Sequence, residues 1–337
     1  MRIILDGMGG DNAPAAVVEG AVLASKEIQH EIAIIGQEEL IFAELKKYKY
    51  DENKITVIDA REVISNDEAP VRAVRSKKDS SIVKGINMVK SGEGDVFISA
   101  GSTGALLSGG LFLLGRIQGI DRPALASVYP ILGGKASLLL DAGANAECKP
   151  NNLLEFGIMG NIYMEKVLGR ENPRVGLVNL GAEAAKGNTL TKAAYELLEQ
   201  SHMNFIGNVE AREVPKGACD VIVADGFTGN VILKLTEGLA WNILQLIKKK
   251  FTDGLKAKFG AALLIDKLGE LKKEFDYSEY GGAPILGVKG PVVKMHGSSK
   301  AAAVKNTILK AIPFVEEKVV ETIQNSVLEI EEITLSE

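Results

Sequence analysis

The chain is predicted to be an α/β protein, a three-layer α/β/α sandwich built on a mostly parallel, doubly wound sheet. Short apolar runs recur along its 337 residues, and they are continuous rather than alternating, as strands covered on both faces require. Helix-length segments separate those runs, the order of a βαβ fold. Five of the runs end in loops rich in glycine and polar residues, at the strand ends where open α/β sheets bind ligands.

The first run, Arg2-Ile3-Ile4-Leu5-Asp6, breaks into Gly7-Met8-Gly9-Gly10-Asp11-Asn12-Ala13-Pro14. Glycine allows close approach of the main chain, and Pro14 suits a first helical turn. The loop is one residue short of the dinucleotide fingerprint and suggests NAD only weakly. Further buried strands are read at Ile32–Ile35, Ile55–Ile58, Asp95–Ser99, Leu138–Asp141, Arg174–Val178 and Asp220–Ala224. The polar ends follow Asp6, Ser99, Asp141, Asn179 and Asp225, and together they imply one shared crevice. Turn formation alone explains any single one of them.

From 230 to 280 the pattern changes. Ile232, Leu235, Leu239, Ile243 and Leu246 form one helical stripe, and Leu264, Leu268, Leu271 and Phe275 form a second. Between 248 and 273, eight lysines face three acidic residues. The segment reads as an amphipathic helical pair protruding from a single catalytic domain spanning 1–337. Core or dimer contact explains the stripes; contact with an anionic lipid surface or an acidic partner is the competing reading.

Hydrophobic residues make up 46% of the chain and charged ones 25%, ordinary values for a water-soluble globular protein. The net charge of −5 argues against general nucleic-acid binding. Two cysteines, Cys148 and Cys219, make no disulfide framework and fit a reducing cytoplasm. No signal peptide is expected, no apolar run is long enough to span a membrane, and the histidines lack metal-binding spacing. Gly133-Gly134-Lys135-Ala136 lacks the rest of a P-loop, and no GxSxG elbow occurs.

What remains handles anions. Arg72 and Arg75 lie one helical turn apart and can bind phosphate, although a solvated basic face is as good a reading. Ser102 and Thr103 offer hydroxyls just after a strand. Lys186, in Lys186-Gly187-Asn188, can act as a point charge, while exposure on the surface is the commoner fate of a lysine. His296, at a strand end before a helix, suits proton donation or phosphate binding, and equally a structural role.

These segments together resemble the bacterial acyl-ACP:phosphate acyltransferases of the PlsX type. The resemblance rests on Asp6–Pro14, Ser99–Ala105, Leu140–Asn145, Lys186–Asn188, Asp225–Val231 and Gly282–Gly287, in the family's order along nearly the whole chain. Ser102 stands where the family usually has asparagine. The resemblance implies transfer of a fatty acyl group from acyl carrier protein to inorganic phosphate, feeding phospholipid synthesis, without a cofactor or metal. It also implies an architecture related to phosphotransacetylases and isopropylmalate dehydrogenases, a homodimer in the cytoplasm, and peripheral contact with an anionic membrane and a membrane glycerol-3-phosphate acyltransferase.

Phosphate attack on a thioester needs no strong base, because phosphate is already anionic, and little acid help, because a thiolate leaves readily. Positioning and oxyanion stabilisation should carry the reaction. Lys186 and Asn230 are the expected catalytic residues. Arg72, Arg75, Asn188 and His296 would hold phosphate or phosphopantetheine, and Asp11, Asn12, Ser102, Thr103 and Asn145 would shape the crevice. Leu255, Lys256, Lys258 and Phe259 would contact a membrane or partner. Rival readings are a phosphate acetyltransferase-like enzyme using acyl-CoA, an isopropylmalate-type NAD-dependent dehydrogenase, and a non-enzymatic scaffold binding acyl carrier protein.

Overall fold

The computed structural model describes residues 1–336 except 134, 265, 268 and 271–280; at 255, 258 and 329–336 it describes the backbone alone. All the strands read from apolar runs form, but they divide between two sheets instead of one. The first sheet has the order β3 (Ile55–Asp59), β2 (Glu31–Gly36), β1 (Arg2–Asp6), β4 (Val96–Ser99), β12 (Val292–Lys294), β11 (Ala283–Leu286), β5 (Ala124–Leu125). Its first five strands are parallel, and β11 runs antiparallel to both neighbours. The second has the order β6 (Ser127–Ile131), β7 (Lys135–Leu140), β10 (Val221–Val223), β8 (Val175–Asn179), β9 (Phe205–Glu210), with β6 alone antiparallel. The chain passes from one sheet to the other at Ala126, between β5 and β6.

The apolar runs are continuous because successive side chains enter different cores. Ile3 and Leu5 of β1 face one core and Ile4 the other; Val96 and Ile98 of β4 are separated from Phe97 in the same way. In the second sheet, Leu138 and Leu140 point one way and Leu139 the other. The largest core joins the two sheets through α1 (Ala15–Ser25), α6 (Pro150–Lys166), α10 (Ala301–Glu316) and α11 (Val319–Ser336). The opposite face of the first sheet is covered by α3 (Pro70–Ser76), α4 (Ser81–Ser91) and α5 (Thr103–Gly109). The expected α/β layering, with helices on both faces, is thus present in each sheet. Strands β5, β6, β9 and β11 have no signature in the sequence: β6 and β11 contain Pro130 and Pro284, and Gly207 interrupts β9. A proline is accommodated in β6 because that strand lies at the edge of its sheet.

Helix α8 (Gly226–Thr252) behaves unlike the others. Among its residues only Gly226 and Gly229 are buried, and α9 (Leu255–Leu263) folds back against it. The first predicted stripe lies on this helix; Leu268, Leu271 and Phe275 of the second lie outside the described residues. No described helix is long and apolar enough to cross a membrane.

Candidate active site

Each sheet ends its central strands on a buried aspartate that gathers a loop. In the first sheet, Asp6 accepts from the Met8 and Gly9 amides at 3.0 and 3.1 Å and from the Ser99 hydroxyl at 2.6 Å. The Ser99 oxygen in turn accepts from the Gly101 amide at 2.9 Å. A side chain at Gly9 would fall on the Asp6 carboxylate and the Gly101 amide, so only glycine lets the two loops meet.

In the second sheet, Asp141 accepts from the amides of Leu125 (3.0 Å), Gly143 (3.2 Å), Ala144 (3.0 Å) and Asn145 (2.6 Å). Burial raises its pKa, and those amide bonds oppose the rise. Helix α8 starts directly on this loop: Asp225 caps it through the Thr228 amide at 2.9 Å, and a side chain at Gly229 would strike the Asp141 carbonyl. The close approach of Gly229 sets Asn230 against Gly143.

Between these walls lies a cleft with a volume of about 490 Å³. It is lined by Gly101 and Thr103 after β4, Ala142 and Gly143 after β7, Lys294 at the end of β12 and Met295–Gly297 after it, strand β6, and one side of α8. The α8 residues that reach it are Asn230, Leu233, Lys234, Thr236, Glu237 and Ala240. At 3.6 residues per turn they form two strips about 90° apart. Asn230, Lys234 and Glu237 make a polar strip; Leu233, Thr236 and Ala240 make a largely apolar one. The apolar strip faces β6, since the Thr236 and Tyr129 hydroxyls are 2.8 Å apart. The polar strip faces the end of β12, where Lys234 and Glu237 perturb His296.

Lys294 is the most altered cation in the cleft. Burial lowers its pKa to about 8, with Lys234 pushing the same way and Asp6 and Asp11 opposing. Its ammonium donates to the Ala100 carbonyl at 3.3 Å and to the Met295 carbonyl. Removal from water also lowers the pKa of His296, which Glu237 raises and Lys234 and Lys294 lower further. The Ser298 amide donates to its Nδ1 at 3.2 Å, so the neutral ring carries its proton on Nε2. Lys234 also pairs with Glu237 at 3.1 Å. These groups form a polar end with two ammonium groups, a carboxylate, an imidazole and an amide; the β6 end is apolar. Such a cavity can hold a small anion beside an apolar chain.

Of the residues expected at the site, Thr103, Asn230 and His296 line the cleft. The others stand elsewhere. Ser102 caps α5, accepting from Ala105 at 3.4 Å. Asn145 donates to the Pro123 carbonyl at 2.8 Å and to Asp141 at 3.0 Å. Asn12 donates to the Ser298 and Ser299 carbonyls at 3.1 and 3.2 Å, and the Asp11 amide donates to the Gly297 carbonyl at 2.8 Å. Asp11 and Asn12 therefore brace the loop that carries His296. Arg72 and Arg75 are exposed on α3, Arg75 over the Phe112 ring at 5.4 Å. Asn188 caps α7 (Thr189–Glu199) through the Thr191 amide at 2.9 Å. Lys186 is exposed on the loop after β8, with its carbonyl held by Asn179 at 3.1 Å, outside the lining of the cleft.

The shared crevice is accordingly narrower than five strand ends. The loop after β1 packs behind Ala100 and Gly297, and the loop after β8 stays outside. Phe259 is 70% exposed and Lys256 is exposed; the side chains of Leu255 and Lys258 lie outside the description. Four residues of the cleft, Tyr129, Lys234, Glu237 and Lys294, had no reading in the sequence. Lys234 was accessible as the residue one turn after Asn230, and Lys294 as the neighbour, two residues back, of His296.

The class is that of the acyltransferases, as the chain's similarity to known proteins shows. Residues 1–322 match the family model of the fatty acid synthesis proteins, and the chain belongs to that family, the PlsX family, as an acyltransferase. A phosphate acyltransferase from Clostridioides difficile is 54% identical over 96% of this chain and 95% of its own. One from Alkaliphilus oremlandii is 56% identical over 97% of both chains. Among solved structures, a phosphotransacetylase from Streptococcus pyogenes superposes with a TM-score of 0.62 at 16% identity, covering 95% of this chain and 94% of its own. That likeness bears out the predicted relation to the phosphotransacetylase architecture.

Proposed function

We propose that the cleft transfers a fatty acyl group from acyl carrier protein to inorganic phosphate, releasing acyl phosphate and the carrier thiol for phospholipid synthesis. The observation that carries this reading is the division of one cavity into a cationic end and an apolar end. Phosphate fits beside Lys294 and Lys234, with the Thr103 hydroxyl within the same lining. The acyl chain fits the apolar end, which sets the thioester carbonyl near Asn230.

A phosphate oxygen then attacks the carbonyl carbon. Charge collects on the carbonyl oxygen, where the Asn230 amide can donate. The C–S bond breaks as the carbonyl re-forms, and the thiolate departs to take a proton from water or from the His296 Nε2–H. Lys294, buried and poised near neutrality, offsets the charge of the bound phosphate. Lys186, exposed on the loop after β8, the strand next to β10, is assigned a role at the reacting carbonyl, which it would have to approach from outside the cleft lining.

Two further assignments follow from exposed apolar surface. Phe227, Val231, Leu235 and Leu239 line one side of α8, and Leu235 is 67% exposed, which supports a second copy packing there as a homodimer. Phe259 beside Lys256 supports peripheral contact with anionic lipid at the inner face of the membrane, near a membrane glycerol-3-phosphate acyltransferase. Purified protein incubated with long-chain acyl-ACP and phosphate, without nucleotide, is expected to yield acyl phosphate. Turnover of acyl-CoA with none of acyl-ACP would support the acetyltransferase-like reading instead.

A further inference from the structure

We propose that the trough between β6 and the Leu233–Thr236–Ala240 strip of α8 is an acyl-chain slot, and that Ala240 sets how long a chain it accepts. This rests on the acyl-transfer reading above and concerns which donors the same site prefers.

The slot has a direction. Strand β6 runs antiparallel to β7, with Ser127 opposite Leu139, near the Asp141–Gly143 loop, and Ile131 opposite Lys135 at the far end. Helix α8 leaves that same loop at Gly226, so its successive turns also lead away from the polar end. From Asn230 to Ala240 the helix advances about 15 Å. The two walls therefore lead away from the reacting end together, and Ala240 lines the same cleft as Ile131 and Leu132 at the far end of β6.

The walls are also tied. The bond between the Tyr129 and Thr236 hydroxyls pairs two polar atoms that would otherwise face a hydrocarbon chain. Tyr129 is almost wholly buried, and burial raises its pKa, so its hydroxyl stays neutral. Beyond that tie the described lining on the β6 side is Pro130, Ile131, Leu132, Pro215 and Ala240, all uncharged, while Glu237 lies on the polar strip of α8. Ala240 is the smallest residue of the apolar strip and occupies its last turn. A larger side chain there would fill the trough without touching the cationic end.

Each methylene taken from water into such a slot strengthens binding about fourfold. Specificity is read as kcat/KM for acyl carrier protein charged with octanoyl or palmitoyl groups, with acyl phosphate as the product. In the unaltered chain the palmitoyl donor is expected to be favoured. In Ala240→Phe the palmitoyl-to-octanoyl ratio is expected to fall at least about tenfold, with Ala240→Leu intermediate. The KM for phosphate is expected to stay with that of the unaltered chain. An unchanged ratio in a variant that unfolds at the normal temperature would overturn the slot, and Ala240→Leu carries the test if phenylalanine prevents folding. Production of no acyl phosphate by the unaltered chain from either donor would instead bring down the transfer reading itself.

Discussion

At the level of single residues, the proposed reaction makes its sharpest demand on Lys294. Its pKa is depressed to about 8, so the ammonium predominates below that pH and is lost as pH rises through it. A group that anchors phosphate as a cation therefore weakens on the alkaline side, and the KM for phosphate is expected to climb above pH 8. Lys294→Arg keeps its charge across this range, so its KM profile should lack that climb. Phosphate's own ionisation is common to both proteins, so their ratio isolates the lysine. Equal profiles would remove Lys294 from phosphate binding. Lys186 is tested separately. If it reaches the carbonyl from outside the lining, Lys186→Ala should cost at least about 10²-fold in turnover, the scale of a lost oxyanion donor. Near-normal turnover in a folded variant would exclude it from the mechanism.

Among the secondary-structure elements, the central parallel strands were legible because they are covered on both sides. Ile3, Ile4 and Leu5 are all apolar since alternate side chains enter different cores, and that leaves a plain signal in the sequence. The antiparallel strands β5, β6 and β11 were not legible, since β6 and β11 carry prolines and β5 is two residues long. The polar residues at the strand ends were legible as a class but not in their roles. Asn145, Asn188 and Ser102 have the composition of a binding loop, yet their hydrogen bonds are used on the chain's own backbone as caps and loop ties. Lys234 and Lys294 had no reading at all, because only the meeting of α8 with the end of β12 brings them together. The exposed face of α9 can be tested directly. Phe259→Glu puts a charge where an apolar ring stands 70% exposed. It is expected to release the protein from anionic phospholipid vesicles in a sedimentation assay, and unchanged binding would rule this face out as the contact.

For the whole molecule, the decisive feature is the passage of the chain between two sheets at Ala126 and its return through β11 and β12. Because of it, loops from the ends of β4, β7 and β12 line one cavity, with α8 laid across it. The sequence carries the loops but not their grouping, which depends on how the two sheets share the core of α1, α6, α10 and α11. The division of that cavity into cationic and apolar ends is the basis of the proposed reaction, and a non-hydrolysable long-chain acyl phosphonate spans both. The most direct measurement is a crystal structure of the protein bound to such a compound. The account expects the phosphonate oxygens within hydrogen-bond distance of Lys294 or Lys234, with the chain running along β6. A phosphonate bound outside this cleft, or a chain lying away from β6, would contradict it.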